Sequence, residues 1–194
     1  PELTLTQPAN VTSHTGIDAL SHAIETSVTT KRSDISYQYS KLSFDLLNES
    51  FETVLKDPKN IEARSKMLLG AAYAGTAIES RMLGAAHAAA NPLTAQFGII
   101  HGAAVGLMLP HVIKYNSDDP DTKKIYNDLY SEDLSRRVSE LLAIADIPST
   151  LSRYDVGKSN VSSLSKDASS QWTGTFNPRK VGEGDFADLY ESAF

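Results

Sequence analysis

The sequence predicts an all-α fold of irregularly packed helices. Apolar residues recur at three- and four-residue spacing, as in Ile17, Leu20, Ile24 and Val28. No segment sustains the period-2 alternation of a half-buried strand. Stops such as Asp57-Pro58 and the polar stretch 116–122 separate the periodic segments. There is no heptad run, internal repeat or low-complexity tract, so the chain reads as one helical domain over 1–194.

Taken in order, residues 1–11 read as an extended lead-in, with Leu3 and Leu5 alternating with Thr before Pro8. Thr15 suits an N-cap, with Asp18 three residues on, and opens a first helix that ends in the polar stretch 29–33. A second helix spans about 35–56, with Leu42, Leu46, Leu47, Val54 and Leu55 on its buried side. A third spans about 60–80, and its GAAYAGTA half lets another helix approach closely. Shorter helices are expected at 122–130, 133–145, 161–170 and 185–194, with a connector at 147–157 and a loop at 173–184.

The stretch 83–110, LGAAHAAANPLTAQFGIIHGAAVGLMLP, is almost uncharged and carries His87 and His101. In one straight helix the two imidazoles would stand about 21 Å apart, at about 1.5 Å per residue. Pro92 lacks an N–H and clashes with the preceding turn, so a break is predicted there, with 94–98 as the bend. The chain can then fold back and bring both rings together.

Composition narrows the function. The formal net charge of −6 with no basic stripe argues against nucleic acid as a partner. With no cysteine, thiolate ligands, disulfides and Cys nucleophiles are excluded, which fits a reducing, cytoplasmic setting. No apolar run reaches spanning length, and PELTLTQPANV lacks the regions of a signal peptide, so no membrane role is expected. Asn10-Val11-Thr12 matches a glycosylation sequon, a triplet common by chance.

Four residues suit a divalent first-row metal: Asp18 and His22, one helical turn apart on one face, with His87 and His101. His14 has no partner spacing and reads as a surface or capping residue. His111 reads as a packed helix residue.

TGIDALSHAIE (15–25) together with GAAHAAANPLTAQFGIIHGAAVGLMLPHVIKYN (84–116) resembles the iron-dependent alcohol dehydrogenase family. PELTLTQPANV and FNPRKVGEGDFADLYESAF (176–194) resemble the entry to that family's helical domain and its C-terminal end. In the family, D-A-x-x-H supplies an Asp and a His, and H-x-x-x-H-P-L and P-H-G supply two further histidines. The resemblance therefore implies Asp18, His22, His87 and His101 as metal ligands. It covers the C-terminal half of the family's usual protein, and no glycine-rich phosphate-binding stretch occurs here. It implies Fe(II), with zinc as the alternative, and NAD(P) held mainly by the absent nucleotide-binding α/β half. The implied substrate is a small-molecule alcohol or aldehyde, and the implied full-length protein is a homo-oligomer. The isolated chain is expected to be inactive.

In many family members a second His follows the first by four residues, near the nicotinamide. Here that position is Asn91, which hydrogen-bonds but does not titrate near neutral pH, so it is expected to orient substrate or cofactor. A zinc-dependent glycerol dehydrogenase or dehydroquinate synthase domain is a second reading. A degenerate helical interaction domain is a third.

Overall fold

A computed structural model describes residues 1–194 and is entirely helical, without strands. Helix α1 (Ala9–Val28) runs through the middle. The pair α2 (Asp34–Lys56) and α3 (Ile61–Arg81) packs on one side of it. The hairpin α4 (Ala85–Phe97) and α5 (His101–Asn116) follows, with α5 packed against α1. Of the shorter helices, α6 (Pro120–Leu129) packs on α1, α7 (Leu134–Ile144) on α5 and α8 (Val161–Ser169) on α4. The last helix, α9 (Glu183–Glu191), packs on α8 and α5. No helix is long and apolar enough to cross a membrane.

The central place of α1 follows from its sequence. Thirteen of its 20 residues are buried, too many for a one-sided surface helix. Ile17, Leu20 and Ile24 join the main core, and the buried hydroxyls of Ser21 and Thr26 fold back on the helix itself. Ser21 Oγ donates to the Ile17 carbonyl (2.8 Å) and Thr26 Oγ1 to the His22 carbonyl (2.7 Å), so burying them leaves no donor stranded. Close approach depends on small residues. A Cβ on Gly106 would stand 2.6 Å from Ile17 Cγ2, and one on Gly70 would stand 2.7 Å from Leu47 Cγ. Ala85, Ala86, Ala88, Ala89 and Ala90 fill the interior of α4 with almost no side-chain bulk.

Several boundaries differ from the sequence reading. The first helix starts at Ala9, not Thr15, and a 3₁₀ turn occupies Glu2–Thr4 where an extended lead-in was expected. Thr15 lies inside α1, its hydroxyl bonded to the Val11 carbonyl (2.8 Å), so it caps nothing. His14 is likewise inside the helix, its Nδ1 2.5 Å from the Asn10 carbonyl. Packing against α2 and α3 overrides the weak helix preference of this polar start. On α2, Leu42 is exposed, and Phe44, Leu47, Phe51 and Val54 form the buried side.

Pro92 does not break α4. The helix passes through it to Phe97, and Pro110 likewise sits within α5. Each proline forfeits one backbone hydrogen bond, a loss that buried surroundings on both flanks outweigh. The reversal occurs at Gly98, whose φ of +66° is the left-handed C-cap that glycine adopts without a Cβ penalty. Within the GAAYAGTA stretch of α3 (70–77) only Gly70, Ala74 and Ala77 are buried, and a Cβ on Gly75 would meet nothing.

Candidate metal centre

The four sequence-selected residues meet where α1, α4 and α5 converge. Asp18 and His22 lie one turn apart on α1, with His22 Nε2 3.5 Å from Asp18 Oδ1. His87, in the first turn of α4, points its Nε2 at the same oxygen, also at 3.5 Å. His101 is the first residue of α5, and its Nε2 stands 3.7 Å from that oxygen. The His22 and His87 rings stack with centroids 4.9 Å apart, and His101 lies 5.3 Å from His87.

The ligating atoms of Asp18, His22 and His87 all fall within 4.8 Å of one another. His101 falls outside that mutual set and is the most open of the four, its side chain 40% exposed. Two atoms at the centre, Asp18 Oδ1 and His87 Nε2, are buried and without a hydrogen-bond partner. Leaving two such groups stranded costs free energy, about 1–3 kcal/mol each. A carboxylate oxygen and an imidazole nitrogen converging without partners are the donor set that a divalent first-row cation takes.

One feature of the centre escaped the sequence reading. Glu25 is buried, and its Oε2 lies 2.5 Å from His87 Nδ1, while its Oε1 accepts from the Ala86 amide (2.7 Å). It lies seven residues after Asp18 and three after His22, on the same side of α1. The signal was present in the spacing of DALSHAIE, but a glutamate there reads equally as a solvated helix residue. Glu25 fixes the ring. In the neutral ring, with Nδ1–H donated to a carboxylate, the Nε2 lone pair is the one that faces Asp18 and His22.

Glu25 is itself held from the N-terminus of α4. The Asn177 Oδ1 accepts from the Ala85 amide (3.3 Å) and from Asn116 Nδ2 (3.1 Å). Asn177 Nδ2 donates to Asn116 Oδ1 (2.7 Å) and to the Arg179 carbonyl (2.6 Å). A Cβ on Gly84 would lie 3.0 Å from Glu25 Oε1 and 3.1 Å from Asn177 Oδ1, so glycine keeps this helix start open to both. The loop that carries Asn177 thereby reaches the histidine through two intermediaries.

The electrostatics are divided. Burial pushes His22 down to about 4, against the pull of Asp18, and lowers His101 as well, so both rings are neutral lone-pair donors at pH 7. Burial also opposes a charge on His87, but Glu25 and Asp18 outweigh it and raise that ring to about 9. Asp18 is held below the usual carboxylate range by His87, His22 and His101 despite its burial.

Asn91 is one turn beyond His87 on α4, and its Nδ2 donates to Gln171 Oε1 (3.0 Å). Gln171 precedes the 3₁₀ turn Trp172–Phe176, where Trp172 is 61% exposed and packs edge-on against Phe176. His111 is partly buried on α5, with its Nδ1 3.0 Å from Ser192 Oγ.

An all-helical scaffold thus gathers one carboxylate and three imidazoles at one point, a donor set suited to a divalent cation. The model of the Fe-containing alcohol dehydrogenase family's C-terminal region matches residues 12–194, and the chain belongs to that family. It is 34% identical to long-chain-alcohol dehydrogenase 1 of Geobacillus thermodenitrificans and 31% identical to an NADPH-dependent butanol dehydrogenase of Clostridium saccharobutylicum. Both alignments take in 100% of this chain and 53% of the relative. Among solved structures, an alcohol dehydrogenase from Oenococcus oeni superposes with a TM-score of 0.93 at 25% identity, over 99% of this chain and 54% of that one. A 1,3-propanediol oxidoreductase superposes at 0.92 and 25% identity, over 98% and 53%. The chain thus spans about half the length of the proteins it matches.

Proposed function

We propose that residues 1–194 form the helical metal-binding half of an NAD(P)-dependent alcohol dehydrogenase, with Asp18, His22, His87 and His101 as ligands of one divalent ion. The observation that carries this is the pair of buried, partnerless atoms, Asp18 Oδ1 and His87 Nε2, converging beside His22. Bound there, the ion supplies Lewis acidity toward an alcohol or carbonyl oxygen, and a nicotinamide held mainly by a preceding nucleotide-binding half supplies the hydride carrier.

This chain's own residues do the positioning. Glu25 keeps the His87 proton on Nδ1 and so aims Nε2 inward. His22 stays neutral through burial and stacks on His87, which restricts both rings. Asn91, with its carboxamide steered by Gln171, orients substrate or nicotinamide without taking up a proton. The substrate class is an alcohol or the corresponding aldehyde, in keeping with relatives that are long-chain-alcohol, butanol and 1-propanol dehydrogenases.

Iron is the first expectation for the metal, since four protein ligands plus a substrate oxygen suit a five- or six-coordinate ion. One observation favours zinc: three ligating atoms cluster tightly and His101 stands apart, matching three protein ligands with an open fourth position.

The test is metal content of anaerobically prepared chain offered Fe(II) or Zn(II). One equivalent per chain is expected, lost in the double variant Asp18→Ala, His22→Ala. Unchanged stoichiometry in that variant sinks the ligand assignment. For Asn91, unchanged kinetics of Asn91→Ala in a full-length enzyme would remove its role.

A further inference from the structure

A second polar constellation lies on another face of α1, in a cavity of about 260 Å³ between the first 3₁₀ turn, α1, α2 and α3. Its centre is Arg64, near the start of α3 and 3% exposed. An arginine is permanently cationic, and one this buried is ordinarily paired with an acid. This one is not. Its Nε donates to the Pro58 carbonyl (2.5 Å) and Nη1 to Thr4 Oγ1 (3.2 Å), both neutral acceptors, and no carboxylate forms an ion pair with it. The chain as a whole is acidic, so the missing partner is not a matter of supply.

A second polar residue also lines this cavity. Thr12 Oγ1 is buried and has no hydrogen-bond partner, and Thr12 lines the cavity with Arg64. Gln7 and Thr15 add polar edges, whereas Leu47, Val54 and Met67 form an apolar wall. One guanidinium and one free hydroxyl match the charge and the acceptor capacity of a single carboxylate group. A phosphate dianion would be left undercompensated. The wall beside them suits an aliphatic tail.

We propose that this cavity is a carboxylate-binding site, with Arg64 and Thr12 holding the anionic head and the Leu47–Val54–Met67 wall taking a short aliphatic chain. The site uses none of the four candidate metal ligands and stands whether or not they bind an ion. The same head-group chemistry has two sources, a free short-chain carboxylate or a carboxylate side chain of polypeptide joined ahead of Pro1. The second is within reach because Thr4 Oγ1, which accepts from Arg64, also donates to the Pro1 carbonyl (2.7 Å).

The probe is sodium butyrate, followed by thermal unfolding and calorimetric titration of the 194-residue chain, against equal sodium chloride and against neutral butyramide. A saturable rise in Tm with butyrate is expected, with no comparable rise for butyramide or chloride. Arg64→Gln should weaken butyrate by about tenfold or more, the value of a charge-assisted hydrogen bond, and Thr12→Val should weaken it less. If Arg64→Gln fails to fold, the butyrate–butyramide contrast and Thr12→Val still decide. A longer chain extended ahead of Pro1 separates the sources. Retained butyrate binding there assigns the site to a free ligand. Lost binding, with a Tm that falls on Arg64→Gln, assigns it to an internal carboxylate. Equal responses to butyrate and butyramide, or no saturable response in the 194-residue chain, overturn the proposal.

Discussion

Replacing Glu25 by Gln tests the mechanism of ring positioning with little change in shape. The wild-type carboxylate accepts two hydrogen bonds, from His87 Nδ1 (2.5 Å) and from the Ala86 amide (2.7 Å). A carboxamide offers one acceptor oxygen and one NH₂ group, so one of those two donors faces another donor. The loss of a buried charge-assisted bond is worth about 1.5–3 kcal/mol, and breaking a buried ion pair about 3–5 kcal/mol. We take about 3 kcal/mol as the expected cost. For a chain of this length that corresponds to a Tm lower by roughly 6–12 °C. The metal-free chain is the right sample. With metal present two effects oppose each other: a mispositioned His87 weakens binding by about 10- to 100-fold, while a ring that holds its proton less tightly admits the ion more readily. The assay is thermal unfolding followed by circular dichroism, with Glu25→Asp as a charge-retaining control of shorter reach. A Glu25→Gln chain that melts within about 1 °C of the parent would refute the reasoning, because the loss of a buried charge-assisted bond predicts a larger shift.

Gly102→Ala should separate α5 from α1, since a Cβ at Gly102 would fall on the backbone carbonyl of His14. Overpacking of this kind costs about 1–3 kcal/mol, and the shift carries the neighbouring His101 away from Asp18, so both Tm and metal stoichiometry should drop. Normal values for both would contradict the close crossing. Gly98→Ala places a side chain at φ +66° and should lower Tm by about 2–4 °C, for a cost of about 1 kcal/mol; an unchanged Tm would remove Gly98 as the reason for the turn. Burial, helped by Lys114, lowers the pKa of His111 below its usual value. Its neutral form therefore stabilises the fold fully above about pH 6.5, and that contribution fades as pH falls through the depressed folded value. His111→Gln should flatten the Tm–pH curve below about pH 6.5, and a parallel curve would show that another group governs the acid limb.

Much of the fold could be read from spacing alone. The apolar stripe Ile17, Leu20, Ile24, Val28 gave the first helix its buried side, and Asp57-Pro58 marked the end of α2. The pairing of Asp18 with His22 needed only the helical period, because residues four apart share a face. The errors fell where local preference competes with packing. Proline in isolation disfavours a helix interior, yet α4 and α5 each keep one, because buried neighbours hold the helix together around a single missing hydrogen bond. The break was expected at Pro92 with the bend over 94–98; the helix instead runs on to Phe97, and Gly98, the last residue of that bend, makes the reversal that brings His87 to His101.

What the sequence by itself determined was the helical class, the chemical identity of the four metal-binding candidates and the pairing of two of them. Those properties are local: they follow from side-chain chemistry and a 3.6-residue period. Only the tertiary structure decided that Glu25 turns inward to hold His87, that Asn177 braces the same helix start from the far end of the chain, and that Arg64 is buried without an acid. These contacts span 62, 92 and 60 positions. Nothing in a local period specifies which distant side chain will face a given buried donor; that is fixed when the helices pack.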